Sequence, residues 1–332
     1  MIAKLRTVPI ELRCGLPLAV VAYLLPYYLD EVELFTASRI LIFALFATSL
    51  NLLLGQTGLV SFAHAAYFGL GAYTLALVSV HTDLNPLLAL IAAPVVSGAI
   101  AYVTGRFALR ATALYFALLT LALSQLIYVI VFQWYGFTRG DNGIHGIGMP
   151  AFLDDPVNSY WFVAAAVLFG LGALSVIFRS PFGASLAAIR DNRRRAAFIG
   201  IDVRKHEAMA FTLAGAFAGL AGALFAIFNR EAYPNLLYWT ANATPIFIVL
   251  IGGMYRFLGP LVGAIVYVLL DERVTRDTEY SNLVLGAILL VIVLLAPGGL
   301  LEVGQRLWAW IRGRRPRLAR ERAPVDAAKE PA

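Results

Sequence analysis

The chain has 332 residues, of which 60% are hydrophobic and only 14% charged, with a mean hydropathy of +0.77. Those values lie far outside the soluble range and place the chain among polytopic membrane proteins. A single cysteine, Cys14, excludes an intramolecular disulfide and any cysteine-held metal cluster.

A helix needs about 20 apolar residues to cross a bilayer core. Apolar runs reaching or approaching that length occur at 14–29, 34–54, 64–80, 87–105, 112–134, 159–178, 208–228, 242–254, 259–270 and 283–296, which predicts about ten spans. The first run carries a basic head, but Tyr27, Tyr28, Asp30 and Glu31 follow it where a cleaved leader needs small residues, so it reads as a span. After the second run, Gly55-Gln56-Thr57-Gly58 interrupts the apolar pattern, flanked by Asn51, Ser61 and His64. Two readings fit: a cytoplasmic turn between spans, or broken helix beside a water-filled path, since freed backbone at membrane depth needs protein or water partners. His64, at a helix start, reads first as a packing or capping residue. The segment 135–158 is long and glycine-rich, either a connection or a contact for a soluble partner outside.

Residues 179–207 form a basic insert holding seven of the 26 Lys and Arg residues. Ser180 before Pro181 predicts a helix start and Gly200 a stop. Within it Phe182, Leu186 and Ile189 share one face, and Arg190, Arg193 and Arg194 point elsewhere. Such a short amphipathic helix suits the receipt of force from a soluble motor, while an Arg-rich loop also serves simply to fix orientation. Small residues follow: Gly215-x-x-x-Gly219 has the spacing for close helix contact, within the bundle or with a second membrane subunit. A second break runs from Gly252 to Pro260, and a basic tail at 312–332 reads as a solvated end with a secondary option of touching anionic lipid.

With both termini inside, the predicted inner segments hold 21 Lys and Arg residues and the outer ones four, the expected orientation signal. The pI near 9.5 therefore reflects topology rather than nucleic-acid binding. Catalytic chemistry is scarce. The four histidines have no pair at ligand spacing, and neither a phosphate loop nor a Gly-x-Ser-x-Gly elbow is present. The predicted spans almost lack carboxylates, which argues against an ion-coupled carrier and against a membrane enzyme, the two competing classes.

Residues 51–74, NLLLGQTGLVSFAHAAYFGLGAYT, resemble the signature of permease subunits from branched-chain amino acid ABC importers. Similar blocks follow in order at 113–125, 141–147, 180–226, 251–264 and 296–301, and the 180–203 block resembles the M-type permease most. The resemblance implies an all-α inner-membrane bundle over 1–311 with a cytoplasmic coupling helix, working by alternating access. Its implied partners are a second homologous permease, two cytoplasmic ATPases that bind ATP and Mg, and a periplasmic binding protein; this chain itself would bind no cofactor. The coupling residues it implies are Ile189, Arg190, Asp191, Arg193, Arg194, Ala196, Ala197 and Gly200. Asn51, Gln56, Thr57, Ser61 and His64 are the candidate path residues. Two departures stand out. Where importer coupling loops have Glu-Ala-Ala before the glycine, this chain has Arg194, Arg195 and Ala196, and Phe62-Ala63 replaces Leu-Gly before His64. Relatives of this kind also move urea, amides and aromatic acids, so the substrate stays open.

Overall fold

A computed structural model describes residues 20, 22–82, 85–111, 113–277, 280–296 and 298–304. Residues 14–19 and 21 of the first predicted span lie outside the described residues, and so does the basic tail. The fold is an all-α membrane bundle. Eleven helices of six residues or more carry it among the described residues: α1 Glu31–Thr57, α2 His64–His81, α3 Ala89–Ala108, α4 Ala113–Gln133, α5 Pro156–Arg179, α6 Pro181–Asp191, α7 Arg193–Phe198, α8 Val203–Asn229, α9 Ala243–Gly252, α10 Gly259–Asp277 and α11 Ser281–Leu295. All but α6 and α7 follow predicted spans. Among the described residues, five helices combine the length and apolarity needed to cross a membrane: α1, α3 with its leading turn, α4, α5 and α8.

Helix α1 is apolar all round, which is the pattern of a buried helix, and 72% of its most apolar window is buried. One face joins α2, α5 and α8 in the main core; another packs Ala44 and Ala47 against Ile248, Val249, Ala264 and Leu289 of α9, α10 and α11. Asp30 starts α1 through a bond from its amide to the Glu33 carboxylate at 3.3 Å, and Gly58 ends it in the left-handed conformation at φ +74°.

Helix α8 occupies the centre and packs on α1, α2 and α3. Its small residues permit that approach. A Cβ on Gly215 would strike Ala101, one on Gly219 would strike Ser97, and one on Gly222 would strike the Phe68 carbonyl. The Gly215-x-x-x-Gly219 surface is thus used within this chain, against α3. At the C-terminal end of α8, Ile144–His145 (β1) pairs antiparallel with Glu231–Ala232 (β2), and Arg230 donates to the Leu153 carbonyl at 2.9 Å and pairs with Asp154 at 3.0 Å. The glycine-rich segment 135–158 is tied down to the end of α8 by these contacts.

The basic insert departs from the single helix expected between Ser180 and Gly200. Ser180 does cap the start, its hydroxyl accepting from the Gly183 amide at 3.3 Å. Asn192 then breaks the helix in extended conformation and caps a second one through the Arg195 amide at 2.9 Å. An asparagine side chain competes with helical backbone in this way. Gly200 has φ +89° beyond the end of α7.

Candidate functional site

Both helix breaks and the basic insert converge at the C-terminal end of α1. The Arg190 guanidinium donates to the Gly55 carbonyl and stacks over the Tyr255 ring at 5.2 Å. The Asn51 amide donates to the Arg256 carbonyl at 3.4 Å, and Gly55 approaches the Met254 carbonyl so closely that a Cβ would collide with it. One arginine therefore joins α6, the last turn of α1 and the loop between α9 and α10. Carbonyls near a helix end lack intrahelical partners, which makes Gly55 a natural acceptor for a cation.

The two halves of the insert differ. On α6, Leu186 and Ile189 are fully buried, and Gly183 lies against the Ile177 and Phe178 carbonyls where a Cβ would not fit. On α7 only Ala196 is buried, while Phe198 and Ile199 are 90% and 75% exposed. Arg194 and Arg195 are exposed and enter no ion pair among the described residues, whereas Arg193 bonds Glu207 at 2.7 Å. Glu207 is buried, and it was missed by sequence reasoning because it closes a basic run and reads there as surface charge. Phe198 and Ile199 were missed because the break at Asn192 resets the helical phase set by Phe182, Leu186 and Ile189. Asp191 and Ala197 lie on the exposed side, as does Gly200.

Of the five path candidates, Asn51, Thr57, Ser61 and His64 are buried and Gln56 is half-buried. Thr57 and Ser61 serve the turn itself: Thr57 donates to the Leu53 carbonyl at 2.6 Å, and Ser61 accepts from the Ala63 amide at 3.3 Å. His64 is placed differently, stacked on Phe46 with 5.4 Å between ring centres. The single Ser49 proton goes to the Phe46 carbonyl at 2.6 Å, so Ser49 accepts from His64 Nε2 at 2.8 Å. That fixes the proton on Nε2 and leaves Nδ1 an acceptor. Neither His64 Nδ1 nor Asn51 Oδ1 has a partner among the described residues, although buried polar atoms rarely go unpaired.

Beyond Phe46, the ring partner of His64, a cavity of about 390 Å³ opens between α1, α2, α8 and the segment after β2. Five phenylalanines line it (Phe35, Phe43, Phe46, Phe68 and Phe225), together with Arg39, Asn229, Glu231, Tyr233 and Thr244. Arg39 is held by Asp271 of α10 at 2.6 Å. Burial, reinforced by the charge of Glu231, holds the Tyr233 phenol above its usual range, so it lines the cavity as a neutral hydroxyl. No cavity-lining cluster was legible from sequence, because its members come from four separate segments.

Residues 34–293 match the family model described as a permease component of branched-chain amino acid transport systems. The chain belongs to this permease family. It is 25% identical over 313 residues to the high-affinity branched-chain amino acid transport permease LivM of Salmonella typhimurium, covering 86% of this chain and 74% of the relative. Escherichia coli LivM gives the same identity and coverage, and E. coli LivH is 23% identical over 280 residues, 78% of this chain and 91% of the relative. No solved structure matches the chain. The family is one of transport components, and the matched range includes both the α1 end and the insert that Arg190 joins.

Proposed function

We propose that this permease is the membrane subunit of an ATP-driven importer for branched-chain or related amino acids, working by alternating access at the bacterial inner membrane. The observation that carries the reading is the Arg190 joint, which links the basic insert to the α1–α2 turn and to the α9–α10 loop. A push on the insert would travel through one side chain to both inner helix breaks, which is what coupling to a soluble motor requires. Coupling of this kind needs a two-state element that both sites bias; here that element is the α1 end with its turn.

In this reading α7 docks in a groove of one of two cytoplasmic ATPases, which bind the ATP and Mg, and the other ATPase serves the second permease. Phe198 and Ile199 supply apolar anchors, and Arg194 and Arg195 a charged rim for an acidic groove. A second, homologous permease would cover the lipid-poor side of the path, and a periplasmic binding protein would deliver substrate to the outer loop. The outer cavity suits a zwitterion: Arg39 toward the carboxylate, Glu231 toward the ammonium, and the phenylalanines around an aliphatic side chain. Below it, the free acceptors of His64 and Asn51 mark a polar descent toward the turn.

The test is uptake of labelled leucine into proteoliposomes holding this chain and its presumed partners. The expected result is uptake that needs ATP and is inhibited by isoleucine and valine but not by urea. The five phenylalanines would also admit a flat ring, so phenylalanine belongs among the competitors. Uptake driven by an ion gradient with no ATPase present would overturn the proposal.

A further inference from the structure

A second cavity, of about 570 Å³, lies at the inner end of the bundle between the last turns of α3 and the first turns of α8. Four cations surround it: Arg106 and Arg110 from α3 and its following turn, and Arg204 and Lys205 from α8. None of the four enters an ion pair among the described residues. The one carboxylate in the lining, Asp202, accepts from the Lys205 backbone amide at 3.1 Å as a helix cap. The cavity therefore holds four positive charges against one negative.

Its remaining walls are apolar or aromatic. Tyr102 lies under the Arg106 guanidinium at 5.9 Å, with Leu109, Ala208 and Met209 beside it. On the outward face of α3, Val103 and Phe107 are 68% and 51% exposed, and Met209 on α8 is 46% exposed. Exposed apolar side chains at this density on membrane-spanning helices face acyl chains. The cavity thus sits where a helix passes from hydrocarbon to the inner interface.

We propose that this cavity binds the headgroup of an anionic phospholipid of the inner leaflet, with the phosphate among Arg106, Arg110, Arg204 and Lys205 and the acyl chains along Val103 and Phe107. Orientation alone requires positive charge on the inner side; it does not require four cations from two helices to face one concavity. Basic recesses between membrane helices on the cytoplasmic side recognise anionic headgroups by charge and by guanidinium–phosphate geometry. A lipid is favoured over an acidic protein because the recess continues onto the exposed apolar side chains of Val103, Phe107 and Met209. The net charge selects anionic over zwitterionic lipid. By bridging α3 to α8, the lipid would brace the central helix at the end where α7 joins it.

The experiment is native mass spectrometry of the full permease, assembled with any partners that co-purify, titrated with phosphatidylglycerol, phosphatidylcholine and water-soluble glycerol 3-phosphate. Wild type should retain phosphatidylglycerol in preference to phosphatidylcholine. The double variant Arg106→Gln/Arg204→Gln should lose phosphatidylglycerol affinity by about fivefold per cation removed, hence on the order of 25-fold. Arg194→Gln/Arg195→Gln removes the same charge from α7 and should leave binding intact. Singles at Arg110 and Lys205 keep the test readable if the double variant does not fold. Equal loss in the α7 control would reduce the effect to net charge and overturn the site. Displacement by glycerol 3-phosphate at matching concentration would assign the cavity to a free phosphate ester instead. Unchanged lipid binding with loss of ATPase recovery would assign it to a protein partner.

Discussion

Helices α6 and α7 are adjacent in sequence and separated by one residue, yet they have opposite relations to the rest of the chain. Helix α6 is anchored: Leu186 and Ile189 are buried, and Arg190 reaches the Gly55 carbonyl. Helix α7 is presented: Phe198 and Ile199 are exposed, and its tie to the bundle is the Arg193–Glu207 pair with Ala196 beneath. The contrast teaches that a coupling element has two separable duties. One part must be held by the bundle so that motion is transmitted, and the other must be left uncovered so that a partner can grip it. Asn192 divides the two.

The largest effect should come from collapsing the anchored half. Leu186→Asp places a charge at a fully buried site and should remove most folded permease from the membrane; Leu186→Ala should cost about 2–5 kcal/mol, seen as earlier loss of monodisperse protein on heating. Phe198→Asp on the presented half should leave folding intact and lower ATP-driven uptake by at least about tenfold, since apolar anchors dominate such interfaces. Folding loss in Phe198→Asp would erase the distinction. Arg190→Ala sharpens it further: ATPase subunits should still co-purify, while uptake falls several-fold because α6 no longer grips the turn.

Smaller effects should come from the charges. Arg193→Gln leaves Glu207 buried and unpaired, at a cost of about 1–2 kcal/mol; this is below the figure for a wholly buried pair because Arg193 is 45% exposed. Adding Glu207→Gln should restore thermal stability, which a role for Arg193 on the partner surface alone would not allow. Arg194→Glu should weaken ATPase recovery least, by less than about 1 kcal/mol, and the difference should fade as salt rises. Salt-independent loss would assign Arg194 to packing.

Much of this fold was legible because membrane helices announce themselves by apolar length, and nine predicted runs became helices. Ser180 and Gly58 were legible as punctuation because capping oxygens and left-handed glycines are local needs. The family resemblance rested on the 51–74 and 180–226 blocks, both of which proved to meet in space. What sequence could not reveal was the meeting itself. Arg190 and Gly55 are 135 residues apart, and nothing in a helical wheel says that an arginine turns back to a carbonyl. The split at Asn192 was hidden because the basic run continues through it, and that concealed Phe198 while promoting Ile189, a residue the bundle buries. Arg39 and Glu231 lie far apart in the chain, and only the folding of α1 beside the end of α8 makes them walls of one cavity.

The most direct test of the two-duty account is cysteine cross-linking in a Cys14→Ser background, with a short bifunctional thiol reagent and the assembled complex. Single cysteines at Phe198 and Ile199 should cross-link to an ATPase subunit, and their yield should change with nucleotide. Cysteines at Leu186 and Ile189 should give no intersubunit product in any nucleotide state. Cross-linking from 186 or 189 with none from 198 or 199 would contradict the assignment of α7 as the presented half and α6 as the anchor.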